Sequence, residues 1–282
     1  MTSFTRKTLS VPVQFSGLGV HTGRAVDCSL LPAPSGQGIL FHVRSEDPSL
    51  NYEVPATMAS LELAERATKL VSPQDSAAHI LTPEHLLSAL YALGITDLTI
   101  VLTHYEVPIM DGSANIFVEE IQKVGVVDLN DAITPYCIED PFFFTHEQST
   151  LFLLPYDGFK ITCAIEYPNT IIGTQVLALD ISHERYISDI AMARTFGFRK
   201  DYNALLERGL AGGASEDNVL IIEEDDYFNQ TRIERECVRH KCLDIIGDFS
   251  LLGRPFQGHV VAVKSGHKTH ALCLKAHLEL SA

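Results

Sequence analysis

The segment TPEHLLSALYALG, residues 82–94, decides the predicted fold of the first half of the chain. Its apolar residues recur at helical spacing and form a wide face that has to be buried. Thr82 is a suitable N-cap residue, Pro83 suits the first helical position, and Gly94 ends the helix. We therefore predict a helix over residues 82–93 that packs on a sheet.

The rest of the first half has the short, interrupted pattern of strands and turns. Strand candidates are the segments 8–15, 26–31, 38–43 and 95–102. The Asp111-Gly112 pair predicts a turn, and residues 115–124 predict a second helix. Residues 125–135 have no strong period, so we place a domain boundary within them.

The second half repeats these kinds of element in a looser order. Strand candidates are residues 142–144, 150–154, 159–166, 175–179, 259–264 and 270–276. Helix candidates are residues 188–193, 202–208 and 233–252. Each half thus combines a sheet with helices packed on one of its faces. The predicted fold class is α+β, with one domain over residues 1–126 and a second over residues 127–282.

Composition and charge limit the possible functions. The chain has 282 residues, of which 46% are hydrophobic and 20% charged, and this excludes a disordered or fibrous protein. A net charge of −15 opposes nucleic-acid binding but leaves a small anionic ligand open. The six cysteines form no Cys-x-x-Cys pair, the N-terminus has no apolar signal core, and no run reaches the ~20 apolar residues of a membrane helix. We expect a cytoplasmic protein without a transmembrane segment.

Two separated segments contain candidate metal ligands. His240 and Asp244 are four residues apart in the predicted helix 233–252, so both side chains leave the same helix face. For this pair alone, an ordinary surface His–Asp contact is the simpler interpretation. Glu84 and His85 open the first predicted helix, where the helix dipole favours an acidic residue with or without catalysis. Together, two histidines and one carboxylate would make the three-ligand set of a catalytic zinc site.

Hydrolysis at such a site needs a base and a proton donor. Glu84 lies beside a candidate ligand and could take a proton from water. His267, in a Gly-containing loop, is a candidate donor that Asp248 could orient, although an isolated loop histidine is usually a solvated turn residue. Lys241 could hold an anionic group near the metal. The Gly-rich segment 17–23 lacks the spacing of a phosphate-binding loop, and we interpret it as a turn or bulge at a sheet edge.

Six short segments in one fixed order give a much more specific signal. They are SGLGVHTG (16–23), TPEHL (82–86), IMDGSA (109–114), ARTFGF (193–198), VRHKCLD (238–244) and KSGH (264–267). In these segments the chain resembles the UDP-3-O-acyl-N-acetylglucosamine deacetylases, the zinc amidases that catalyse the committed step of lipid A biosynthesis. The resemblance spans nearly the whole chain, and it implies two α+β domains that face each other with the active site between them.

The resemblance also implies a set of catalytic roles. By similarity the metal ligands are His85, His240 and Asp244. The implied catalytic residues are Glu84 as the general base, His267 as the acid that also stabilises the oxyanion, Asp248 as its support, and Thr195 as a donor to the tetrahedral intermediate. The implied cofactor is Zn²⁺, although Fe²⁺ suits the same ligands.

Substrate contacts are implied in the same way. The predicted substrate-binding residues are Lys241, which should touch the phosphates, the flanking Phe196 and Phe198, and Thr68. The segment around 196–219 corresponds to the insert whose apolar passage receives the 3-O-acyl chain. Its stretch LAGGAS (210–215) departs slightly from the family pattern, so the preferred acyl length stays open. No role is assigned to His21.

Two other functions stay open at this stage. One is a zinc amidohydrolase that acts on another N-acylated nucleotide sugar, which an assay with and without the 3-O-acyl chain would distinguish. The other is a catalytically inactive, metal-stabilised binding protein, which would have no need for Glu84 or His267. The expected partner is the acylated UDP-sugar, and we expect a monomer that binds no nucleic acid.

Overall fold

The structure, a computed structural model, describes residues 4–45, 51–64 and 66–280. The elements of the first half are β1 (Phe4–Leu9), β2 (Val13–Leu18), β3 (Ala25–Pro32), β4 (Ile39–Val43), β5 (Tyr52–Pro55), β6 (Leu61–Glu62), β7 (Lys69–Ser72), β8 (Asp75–Leu81), α1 (Glu84–Ala92), β9 (Leu98–Leu102) and α2 (Asn115–Val124). Those of the second half are β10 (Val126–Ile133), β11 (Tyr136–Cys137), β12 (Phe142–His146), β13 (Ser149–Leu154), β14 (Phe159–Tyr167), β15 (Gly173–Asp180), α3 (His183–Asp189), β16 (Phe196–Phe198), α4 (Tyr202–Glu207), β17 (Leu220–Ile222), α5 (Glu236–Phe249), β18 (Phe256–Val263) and α6 (His267–Leu280).

A five-stranded sheet organises the first half, in the order β2-β3-β9-β4-β5. Strand β9 lies at its centre, and its residues alternate so that Leu98, Ile100 and Leu102 are buried. It pairs antiparallel with β3 and parallel with β4. Helix α1 buries Leu86 and Leu90 in the same apolar core. Strands β6, β7 and β8, which lie between β5 and β9 in the sequence, form a separate three-stranded sheet.

The second half has a sheet of its own, in the order β12-β13-β18-β14-β15, with β11 added on β18. Strand β18 is antiparallel to β13 and parallel to β14. Its sequence FQGHVVAV alternates, so that Val260 and Ala262 are buried. Helix α5 contacts β14, β15 and α6. The α+β fold class that the sequence predicts is confirmed.

Strand β10 lies at the predicted domain boundary, where we expected no regular element. It pairs antiparallel with β1, with Val126 opposite Leu9 and Ile133 opposite Phe4. The sequence of β10 does not alternate between apolar and polar residues, because most of its residues, including Asp128, are exposed. The division into residues 1–126 and 127–282 stays a prediction.

The predicted strand over residues 8–15 is wrong, because β1 ends at Leu9 and β2 begins at Val13. Pro12 has no backbone N–H and cannot continue a strand ladder. Val11, which completed the apparent alternation, is 50% exposed. Strands β5 to β8 lie where we predicted no element, since segments of two to seven residues contain too few positions to establish a period.

Three predictions in the C-terminal half of the chain are also corrected. Helix α3 covers His183–Asp189 rather than residues 188–193, because the Ser182 side chain caps it earlier by accepting from a backbone N–H. Residues 270–276 belong to helix α6 and are not a strand. The buried residues of α6 include His270, Ala271 and Leu274, which share one helix face at i, i+1 and i+4. The long helix predicted over 233–252 is shorter, since α5 ends at Phe249 before a 3₁₀ turn.

The start of α1 differs from the prediction in its capping. Pro83 is the N-cap residue, and no side chain caps the helix. Thr82 has a φ of 55°, a left-handed backbone conformation that β-branched residues rarely adopt. Its hydroxyl donates to Glu106 Oε1 at 3.2 Å instead of capping α1.

Helices α1 and α5 pack directly against each other. At their closest approach, a Cβ atom on Gly247 of α5 would lie 2.3 Å from the carbonyl oxygen of Glu84 in α1. Only glycine fits without moving one helix. This contact places the first turn of α1 against the face of α5 that carries His240 and Asp244.

Replacing Gly247 by alanine tests this packing. Alanine normally stabilises a helix by about 1 kcal/mol relative to glycine, but here its Cβ has to displace the backbone of α1, and overpacking costs about 1–3 kcal/mol. We expect a net loss, measured as a lower urea midpoint. The exposed Gln122→Ala substitution in α2 is the control and should leave the midpoint unchanged. A Gly247→Ala protein more stable than its parent would contradict the close approach.

Candidate metal centre and active site

Helices α1 and α5 bring three candidate metal ligands together. One ligand atom from each of His85, His240 and Asp244 lies within 4.8 Å of the other two. The ring centres of the two histidines are 4.9 Å apart, and His240 Nε2 is 3.3 Å from Asp244 Oδ1. All three side chains are buried. The two segments in which the sequence placed these ligands therefore meet in the fold.

This group fits a bound cation. His85 Nδ1 and Asp244 Oδ1 are buried and have no hydrogen-bond partner among the described residues, whereas buried polar atoms are normally paired. Burial, and then the neighbouring His240, lowers the pKa of His85 to about 3. Burial would raise the pKa of Asp244, but Lys241 and His240 outweigh it and hold that pKa well below its usual range. Neutral imidazole and ionised carboxylate are the forms that bind metals.

A backbone contact fixes the orientation of His240. Its Nδ1–H donates to the carbonyl oxygen of Ala193 at 3.1 Å. Nε2 is then the free ring nitrogen and faces Asp244. Metal-binding histidines are commonly fixed in this way by a carbonyl group on the far side of the ring.

Glu84 and His267 face each other beside the ligands. His267 Nε2 lies 3.6 Å from Glu84 Oε1 and 3.8 Å from Asp244 Oδ2. Burial raises the pKa of Glu84 to about 8. Burial alone would lower the pKa of His267, but Asp248 and Asp244 outweigh it and raise the pKa to about 10. The site thus pairs a carboxyl group that can exchange a proton near neutral pH with an imidazolium that stays charged.

Asp248 holds His267 from behind and is itself held by three donors. Its Oδ2 accepts from Nδ1 of His267 at 2.8 Å and from Nδ1 of His270 at 2.6 Å. Its Oδ1 accepts from the Thr68 hydroxyl at 2.5 Å. Ser265 donates to Nε2 of His270 at 2.9 Å. These contacts lock the His267 ring with Nε2 facing Glu84.

His270 is a residue of this site that sequence reasoning missed. It is fully buried and lies three positions after His267 in α6, so both rings reach the same carboxylate. Interpreting residues 270–276 as a strand hid this relation, because side chains three apart on a strand point to opposite faces. Thr68, predicted to bind substrate, is buried in the same network and is not among the described residues that line the neighbouring cavity.

A cavity of about 890 Å³ opens onto the metal centre. Its walls include the predicted site residues Glu84, His85, Thr195, Phe196, Phe198, His240, Lys241, Asp244 and His267. Lys241 Nζ donates to Asp244 Oδ2 at 2.8 Å and lies 5.5 Å from the centre of the Phe196 ring. Apolar side chains of the insert, among them Leu205 and Val219, also line the wall. The cavity thus has both charged and apolar lining residues.

A buried ion pair fixes the chain just before Thr195. Arg194 Nε donates to Glu236 Oε1 at 2.9 Å, and the two side chains are 5% and 0% exposed. The same oxygen accepts the Arg194 backbone N–H at 2.9 Å, and Oε2 accepts the Arg232 backbone N–H at 2.8 Å. Because Glu236 is the first residue of α5, the pair ties the Thr195 wall to the helix that carries two of the ligands.

Comparison with known proteins agrees with this geometry. Residues 6–279 match the family model described as UDP-3-O-acyl N-acetylglycosamine deacetylase. The chain belongs to this deacetylase family. The resemblance carried by the six sequence segments is therefore confirmed.

Relatives in this family are similar to the chain over nearly its whole length. The UDP-3-O-acyl-N-acetylglucosamine deacetylase of Thermodesulfovibrio yellowstonii is 38% identical over 275 residues, which cover 97% of this chain and 92% of the relative. The protein of the same name from Chlamydia pneumoniae is 39% identical over 279 residues, 98% of this chain and 97% of the relative. That from Bdellovibrio bacteriovorus is 39% identical over 267 residues, 94% and 86% of the two chains.

No helix within the described ranges 4–45, 51–64 and 66–280 is both long enough and apolar enough to cross a bilayer.

Removing Arg194 should strongly destabilise the protein. Arg194→Leu leaves Glu236 buried without its cation, and breaking such a pair costs about 3–5 kcal/mol. Urea denaturation measures the loss. Adding Glu236→Gln to the same chain should recover part of it, because the buried charge then disappears. Lys123→Ala, which breaks an exposed pair with Glu120, is the control and should leave the midpoint unchanged. An unchanged midpoint for Arg194→Leu would refute the structural role of the pair.

Proposed function

We propose that this protein removes the N-acetyl group from UDP-3-O-acyl-N-acetylglucosamine, giving UDP-3-O-acyl-glucosamine and acetate, the committed step of lipid A biosynthesis. Membership of the deacetylase family supports the substrate class. The observation that carries the chemistry is the convergence of His85, His240 and Asp244 directly beside Glu84 and His267. A binding protein would have no need for those last two residues.

Zn²⁺ is the metal that we propose. Two imidazole nitrogens and one carboxylate oxygen are the ligand set of catalytic zinc sites, in which a fourth position is left for water or substrate. Bound at His85, His240 and Asp244, Zn²⁺ would supply a Lewis acid that lowers the pKa of water to about 7 and polarises an amide carbonyl. Fe²⁺ accepts the same donors, so metal analysis of the purified protein decides between the two.

Glu84 is the general base in this proposal. Its carboxylate takes a proton from the attacking water, and burial makes it a stronger base by raising its pKa to about 8. The water oxygen bonds to the acetamide carbon, the C–N bond breaks, and acetate and a free amine result. The amine needs one proton to leave.

His267 supplies that proton and the positive charge. Its Nε2 lies 3.6 Å from Glu84 Oε1, so acid and base flank the same space. As an imidazolium it stabilises the negative oxygen of the tetrahedral intermediate, and the Thr195 hydroxyl adds a donor. Asp248 keeps the ring oriented by accepting from Nδ1 at 2.8 Å. Thr68 bonds to Asp248, and we propose that it contributes through this carboxylate, while a direct substrate contact of Thr68 stays a prediction.

The cavity supports the predicted substrate contacts. Lys241 lies on the wall near the metal centre, where its ammonium group can meet a phosphate. Phe196 and Phe198 lie on the short strand β16, which pairs parallel with β17 and holds both rings at the wall. We propose that the apolar wall around Leu205 and Val219 receives the 3-O-acyl chain. Another N-acylated nucleotide sugar is the alternative substrate.

Two substitutions separate metal binding from catalysis. Glu84→Gln should keep the metal and lower kcat by about 10²–10⁴, because a general base contributes that much. His85→Ala should lose both metal and turnover, since it removes a ligand. Metal content and acetate release are measured on the same samples, with the exposed Glu119→Gln in α2 as the control. A fully active Glu84→Gln enzyme would refute the assignment of the base.

The substrate is tested with matched nucleotide sugars. We expect acetate release from UDP-3-O-acyl-N-acetylglucosamine and a kcat/KM lower by at least about tenfold for UDP-N-acetylglucosamine, because the latter leaves the apolar wall unfilled. Replacing Leu205 by Asp should remove this difference by raising KM for the acylated sugar alone. Equal kcat/KM values for the two sugars in the parent enzyme would favour the alternative substrate.

The compartment and the oligomeric state stay proposals. All six cysteines are free in the structure, and five of them are buried, which supports a reducing compartment such as the cytoplasm. All the proposed ligands and catalytic residues come from one chain, so a monomer can form the site, and the monomer stays a prediction.

A further inference from the structure

Glu106 is a fully buried carboxylate that the proposed reaction does not use. Its Oε1 accepts from the backbone N–H of His21 at 2.8 Å and from the Thr82 hydroxyl at 3.2 Å. Its Oε2 accepts from the backbone N–H and the hydroxyl of Thr22, at 2.8 and 2.6 Å. Burying a carboxylate is costly unless such donors replace its water, and hydrogen bonds to a charge are stronger than neutral ones. Glu106 therefore fixes two separate parts of the chain.

The first part is the turn at the end of the β2–β3 hairpin, residues 19–24, which we call the tip loop. The Gly19 N–H donates to the Arg24 carbonyl and the Gly23 N–H donates to the Gly19 carbonyl, both at 2.9 Å, and these bonds close the turn. A Cβ atom on Gly19 would lie 2.1 Å from Glu106 Oε2, so the loop can wrap the carboxylate only with glycine at this position. Glu106 therefore holds the Gly-rich segment 17–23, which we interpreted from the sequence as a turn.

The insert docks on the tip loop mainly through backbone atoms, and the Ala211 N–H also donates to His21 Nδ1 at 3.4 Å. The Gly212 N–H donates to the His21 carbonyl at 2.9 Å, and the Gly213 N–H donates to the Val20 carbonyl at 3.0 Å. A Cβ atom on Gly213 would lie 2.3 Å from the Gly19 carbonyl oxygen. The two segments touch so closely that a shift of the tip loop has to move the insert.

The second part is the turn before α1, where the Thr82 backbone is strained. Thr82 lines the cavity, as do Val20 and His21 of the tip loop. The Glu106 carboxylate is thus hydrogen-bonded to two stretches of the cavity wall, the tip loop and the turn before α1. Through the tip loop it also supports a third stretch, the insert.

We infer that Glu106 is a positioning residue, which holds the acyl-binding wall of the cavity in place through the tip loop and the insert. This inference rests on the proposed function, since only an acylated substrate would use that wall. Glu106 does not line the cavity, so it acts through His21, Gly212 and Gly213 rather than by touching substrate.

Asp97 provides a control. It is also a fully buried carboxylate, and it accepts a backbone N–H from Gly38 at 2.8 Å and the Thr96 hydroxyl at 2.7 Å. Unlike Glu106 within the described ranges, it also forms an ion pair with Arg6 Nη1 at 3.1 Å. Its partners lie away from the cavity wall. Asp97→Asn should therefore lower stability in the way that Glu106→Gln does, without any effect on substrate selection.

The test compares Glu106→Gln with Asp97→Asn in the full-length, metal-loaded enzyme. Glutamine keeps the shape of the glutamate side chain but replaces one oxygen by an NH₂ group. This group cannot accept hydrogen bonds from the N–H and O–H donors of the tip loop, so contacts to the tip loop are lost. We expect KM for the acylated sugar to rise about tenfold with kcat and metal content little changed. KM for the sugar without the acyl chain should not change. Backbone hydrogen exchange over residues 205–215 should become faster in Glu106→Gln and stay at the parental rate in Asp97→Asn.

Gly213→Ala provides a second route if Glu106→Gln folds poorly. Its Cβ would push the insert off the tip loop while Glu106 stays intact, and the same selective rise in KM is expected. Equal KM changes in Glu106→Gln and Asp97→Asn, or unchanged exchange over 205–215 in Glu106→Gln, would overturn the inference. If the parent protein releases no acetate at all, the proposed function fails, and the exchange experiment alone decides the role of Glu106.

Discussion

The close contact between α1 and α5 is the constraint on which the site depends. The candidate ligands come from helices far apart in the sequence, and they meet because Gly247 lets the backbone of α5 approach the first turn of α1. That turn carries both His85 and Glu84, so a single packing contact sets the position of a candidate ligand and of the proposed base together. Two hydrogen bonds then fix the rings, from His240 Nδ1 to the Ala193 carbonyl and from His267 Nδ1 to the Asp248 carboxylate.

Charge balance explains why these groups tolerate burial. The carboxylates of Glu84, Asp244 and Asp248 face the cations Lys241 and His267 in the described part of the chain. With all five groups ionised, the cluster carries one surplus negative charge, and burial makes that surplus costly. Burial first, and then the carboxylates of Asp248 and Asp244, raise the pKa of Glu84, although His267 opposes them. A cation bound among the ligands would balance the same surplus, which is why the cluster favours one.

The sequence names the residues that meet at the candidate site more accurately than it gives the limits of the elements. Helical spacing paired His240 with Asp244, the residue types singled out His85 and His267 as candidates, and the family segments implied their roles, because residue types and motif order can be read directly from the sequence. The role of Gly247 could not be predicted, since close approach of two helices is a property of the packed fold. His270 was missed for a related reason: alternating apolar residues in a short segment are compatible with a strand, and only burial in three dimensions shows a helix.

The same device, a backbone approach that excludes any side chain, recurs where the insert meets the tip loop. Gly247 seats α1 on α5 at the candidate metal centre, while Gly212 and Gly213 seat the insert on the backbone of the tip loop. Backbone contacts of this kind leave almost no freedom to slide, since a displacement of one segment meets backbone atoms of the other. The candidate metal centre and the insert are therefore both positioned by the main chain. Under the inference drawn for Glu106, selection of the acyl chain depends on how firmly this carboxylate holds the tip loop.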